Sequence, residues 1–90
     1  MADVSPRLRR RIQSDFTEPG SAEEIARLVS EASDSERIQA AIVFCARGDL
    51  TRLRGSLELA RTDWRDVLMC GELAHEDWPA KLETQLGPPS

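Results

Sequence analysis

Five residues with metal-binding or nucleophilic chemistry fall close together near the end of the chain: Cys70, Glu72, His75, Glu76 and Asp77. Glu72-x-x-His75 has the i, i+3 spacing used by carboxylate-bridged di-iron bundles. Those sites need a second such motif and further glutamates, and this chain has one histidine. A structural zinc site draws four ligands from Cys and His, and the chain supplies two cysteines and that one histidine. A metal-dependent activity around 70–77 is therefore the most distant reading, and no metal or cofactor is expected. His75 is expected near a helix end, where its imidazole meets the last carbonyls.

Nucleophilic chemistry is equally poorly supplied. A catalytic thiol must be exposed and activated, and Cys45 lies in the most apolar stretch, AAIVFCA at 40–46. Cys70 could meet His75 only through a turn. With no C-x-x-C spacing, both cysteines are expected to be buried, reduced thiols in a cytoplasmic protein. Asp63 and Asp66 read as first-turn acids favoured by a helix dipole, not as an acid–base pair. The five glycines are isolated, so no phosphate loop is present. No catalytic residue is assigned, no small-molecule substrate is evident, and the chain reads as non-enzymatic.

The elements that would position these residues are helical. Strand-type alternation and tyrosine are absent. Ser5-Pro6 is an N-cap with proline at the first helical position, followed by Leu8, Ile12 and Phe16 on one face. Pro19-Gly20 breaks the chain. Ser21-x-x-Glu24 and Ser33-x-x-Glu36 both spell capping boxes. The helix after the second is apolar nearly all round, which marks it as the central helix. Gly48 ends it and Asp49 caps the next, which carries Leu50, Leu53, Leu57 and Ala60 as a stripe. That use of Arg47-Gly48-Asp49 as a stop and restart displaces an adhesion reading of the tripeptide.

The phrase L-A-x-x-D-W-x-x-x-L occurs at 59–68 and again at 73–82. Each copy predicts a helix end, a turn, an aspartate-capped restart, and a tryptophan stacked over a leucine four residues on. Both indoles are expected to act as interior anchors; the alternative is a Trp-lined groove. Residues 46–82 as a string, with I-Q-S-D-F at 12–16, resemble a family of small uncharacterised bacterial proteins, mainly actinobacterial. Its pattern is A-R-G-D-L-x-R-L…A-R-x-D-W-R-D-V-L followed by a second D-W. The resemblance implies a helical fold and a bacterial cytoplasmic setting, and carries no activity.

The expected architecture is an all-α compact bundle of five to six short helices without a sheet, in one domain over 1–90. The N-terminal helix, about 5–16, is expected to attach loosely, and 87–90 to form a disordered tail. No apolar run is long enough to cross a membrane, and no signal peptide is expected, since no apolar run follows the basic start.

The net charge of −4 hides alternating blocks. Four arginines and one aspartate in 1–13 precede one arginine and seven acids in 14–36; six arginines and three acids follow in 37–65. Pairing with the 14–36 acids is the simplest use for the arginines. The alternative is nucleic-acid binding through the Arg-rich N-terminal helix and the 47–65 arginines, against which the acidic balance weighs. The favoured reading is a small protein–protein interaction module or subunit, with a protein partner or a homodimer. Its candidate surface is Arg52, Arg54, Arg61 and Arg65 with the exposed parts of Trp64 and Trp78. Self-association is expected if the apolar central helix needs more cover than one chain provides.

Overall fold

The computed structural model describes residues 4–18 and 20–88. Those residues form six α-helices and no strand: α1 (Pro6–Asp15), α2 (Ser21–Ala32), α3 (Glu36–Ala46), α4 (Leu50–Thr62), α5 (Trp64–Cys70) and α6 (Trp78–Leu86). The fold is all-α, as the periodicity requires. Helix α3 is the hub. It packs against each of the other five helices, and Ala40, Ala41, Ile42, Val43 and Ala46 are completely removed from solvent. The cover that this apolar helix demands is supplied within one chain, so the reason for expecting self-association falls away.

Helix α1 is fastened, contrary to the loose attachment expected of it. Leu8 and Ile12 are fully buried, and Phe16 nearly so. Arg7 is buried too; its Nε and Nη2 donate to the two carboxylate oxygens of Glu36 at 2.8 and 2.6 Å. Its Nη1 donates to the carbonyl of Gly87 at 3.0 Å. Gly87, expected to begin a disordered tail, is therefore held; residues 89–90 of that tail lie outside the described residues. The bidentate pairing keeps the Glu36 carboxyl below the ordinary glutamate range, against the opposing effect of its partial burial, with the Ser5 hydroxyl adding a further hydrogen bond.

Caps follow local chemistry, with two displacements. Ser5 accepts from the Leu8 amide, and Asp49 from those of Thr51 and Arg52. The two capping boxes do not form as spelled. Gly20, at φ 81°, caps α2, and the Ser21 hydroxyl turns back to donate to the Glu18 carbonyl. Ser35, not Ser33, caps α3. Ser33 ends α2 instead, and its carbonyl accepts from the buried Gln39 amide. Helix α3 starts at Glu36, so the cap falls to the residue just before it, and the Ser35 hydroxyl accepts from the Ile38 amide. The stop at 47–48 forms as expected: Arg47 and Gly48 both take left-handed φ, 51° and 78°.

Candidate functional site

The tryptophan phrase works differently from its expected grammar. In the first copy Asp63 caps α5, accepting from the Arg65 amide at 3.1 Å, and Leu68 is buried. Trp64, however, leaves 47% of its surface in solvent, with the Arg65 guanidinium 5.5 Å from its ring centre. In the second copy Asp77 occupies the N-cap position without a side-chain cap bond. Leu73 follows a helix end by three residues and is buried in a loop, not at a helix terminus. Trp78 is half-buried against the core, covered by Arg37, whose Nε also donates to the Leu73 carbonyl. The interior anchor of each phrase is thus the trailing leucine, Leu68 or Leu82. The expectation that both indoles sit inside is corrected for Trp64, which is first in its helix and has no further layer above it; Trp78, also first in its helix, packs partly against the core.

The arginines divide into two populations. On α1, Arg7 pairs with Glu36, Arg9 with Glu23 at 3.1 Å, and Arg11 with Asp15 at 3.1 Å. These use the acids of 14–36 as the charge blocks suggest. On α4 and α5, no carboxylate of the described residues lies within ion-pair distance of Arg52, Arg54, Arg61 or Arg65. For these four the expected pairing with the 14–36 acids does not occur, because α4 and α5 turn those side chains outward and all four are exposed.

Nor do the four make one face. At about 100° per residue, Arg61 lies on the same flank of α4 as Arg54, two turns earlier, while Arg52 falls on the opposite flank. Arg61 and Trp64 are separated by three peptide units, which hold their Cα atoms within about 11 Å. Arg54 and Arg61 therefore share one flank of α4, and Trp64 with Arg65 follows them at the start of α5. Trp78 sits with Arg37 and Leu73 instead.

The region richest in candidate chemistry, 70–77, forms no metal centre: no group of three or more Cys, His, Asp or Glu among the described residues is placed to hold an ion. His75 is in the loop between α5 and α6, exposed, and only its backbone carbonyl is engaged, by the Trp78 amide. Its expected place at a helix end is corrected. So is the state of the cysteines. Cys45 and Cys70 form a disulfide joining α3 to the end of α5, with Cα atoms 5.4 Å apart and Cys70 exposed.

The close approach has a cause one residue away. A Cβ on Gly71 would stand 2.7 Å from the Ala41 Cα and 2.8 Å from its carbonyl oxygen, so only glycine lets the end of α5 rest on α3. The pair is invisible to spacing rules because the bridged residues are 25 apart, and helix packing, not a motif, brings them together. The Cys-Gly dipeptide at 70–71 is the one local signal.

Beside Cys70 opens a pocket of about 350 Å³ whose lining includes Arg11, Phe44, Arg47, Glu72 and Lys81. Arg11 stacks 4.9 Å from the Phe44 ring centre while bonded to Asp15 and Gln85. Arg47 and Lys81 have no ion-pair partner among the described residues. No helix is long and apolar enough to cross a membrane among the described residues. No protein-family model, curated protein or solved structure matches the chain.

Proposed function

We propose that this chain is a non-enzymatic interaction module that receives an acidic protein segment on the α4–α5 corner. The observation that carries the reading is the set of uncompensated arginines around a half-exposed indole: Arg54, Arg61 and Arg65 beside Trp64. Arginine and tryptophan are the residue types most enriched where binding energy concentrates, and an indole with 47% exposure has apolar area left to bury. Met69, 68% exposed and four residues after Arg65 on the same short helix, adds apolar surface beside that arginine. A partner of opposite charge gains in encounter rate and orientation from these cations. The bacterial cytoplasmic setting implied by the resemblance belongs to this reading. A disulfide is compatible with that compartment when it exchanges and is not permanent.

A photo-crosslinking amino acid placed at position 58, exposed on α4 between Arg54 and Arg61, and separately at position 52 on the opposite flank, tests the surface in bacterial cells expressing the chain. Position 58 should capture a protein through a Glu/Asp-rich segment, position 52 should not, and Arg54→Ala with Arg61→Ala should reduce capture severalfold. Equal capture at both positions, or capture of nucleic acid at position 58, would overturn the reading.

A further inference from the structure

We propose that the Cys45–Cys70 disulfide is an exchange site for small anionic thiols, which reach it through the pocket beside Cys70. Three observations converge. Cys70 is exposed and lines the pocket, whereas Cys45 is half-buried on α3. The pocket volume of about 350 Å³ suits a small molecule. Its ionic lining is unbalanced: with Arg11 already bonded to Asp15, Arg47 and Lys81 face a single lining carboxylate, Glu72. This site is distinct from the partner surface and does not rest on it.

The step is thiol–disulfide exchange. The sulfur of an incoming thiolate attacks Sγ of Cys70, a new S–S bond forms there, the Cys45–Cys70 bond breaks, and Cys45 leaves as a thiolate that takes a proton from water. A second thiol attacking the mixed disulfide releases the symmetrical small disulfide and leaves both cysteines reduced. No other oxidant or reductant is required. Attack at Cys70 is favoured by access, and an anionic thiol by the net positive lining.

The test uses the intact chain with glutathione as the anionic thiol and cysteamine as the cationic one. Each rate is divided by that thiol's rate with a neutral reference disulfide, which removes differences in thiol acidity. The normalised rate for glutathione should exceed that for cysteamine by roughly fivefold or more per unit of net pocket charge at low salt, falling toward equality at 1 M salt.

Arg47→Asn, which suits the left-handed backbone at 47, and Lys81→Gln should each shrink the ratio. Glu72→Asn, at φ 61°, should enlarge it. Circular dichroism confirms that each variant is folded, and the opposite directions separate a charge effect from general loosening. Peptide mapping should place the first glutathione adduct on Cys70. A ratio near one, a ratio insensitive to these substitutions, or an adduct on Cys45 would overturn the proposal.

Discussion

The arginines of α1 and those of α4–α5 are the same side chain put to opposite uses. On α1, Arg7 and Arg9 close onto carboxylates of α3 and α2 and fasten the helix to the body of the molecule, while Arg11 pairs with Asp15 of its own helix. On α4 and α5, Arg54, Arg61 and Arg65 meet no carboxylate of the described chain. The difference lies in the neighbours. Helix α1 lies against α2 and α3, whose first turns carry Glu23 and Glu36, acids that helix dipoles favour there. The α4–α5 arginines project away from those turns. Formal charge therefore counts cations without telling which are available, and burial makes the distinction: the Arg7 side chain is 8% exposed.

The sharpest way to break this contrast is to remove the buried cation. Arg7→Met keeps the volume but leaves Glu36 with only the Ser5 hydroxyl, and should cost about 2–3 kcal/mol. The cost stays below that of a fully buried pair because 30% of the Glu36 side chain is exposed. In thermal unfolding this would appear as a loss of about 10–20 °C in Tm. Little change in Tm would place Arg7 with the free arginines.

A smaller effect comes through pH. The folded Glu36 carboxyl titrates below its unfolded value, so its contribution is complete above that value, near pH 4.3, and is lost as pH falls through the folded value. Denaturant midpoints measured from pH 6 to pH 3 should fall less steeply in Glu36→Gln than in the parent. Parallel slopes would show that the pair contributes nothing to acid sensitivity. The smallest effect belongs to the other population. Arg54→Ala and Arg61→Ala should each change stability by less than about 0.5 kcal/mol, read by the same melts, while weakening partner capture.

The helices themselves were readable because their signals are local. Stripes such as Leu53–Leu57, the proline after Ser5, and the aspartates at 49 and 63 act within one turn, and they hold in the folded chain. Where two candidates stood before one helix, reading failed: Ser33 spells a cap, but α3 starts at Glu36 and Ser35 beside it takes the role. The candidate surface was half legible. Arginine and tryptophan could be named as types, yet helix rotation sets Arg52 apart, and the missing layer over Trp64 is a tertiary fact. The Arg7–Glu36 pair and the Cys45–Cys70 bond span 29 and 25 residues, and no local rule reaches that far.

Gly71 has no side chain, yet it governs how near Cys70 comes to Cys45, since any larger residue would wedge α5 away from Ala41. In a saturation screen scored only by whether the bridge closes, position 71 should stand out as sharply as the two sulfur-bearing positions. A chemically silent residue would then masquerade as part of the reactive apparatus, and an observer counting functional groups would overlook what sets the reach between the sulfurs.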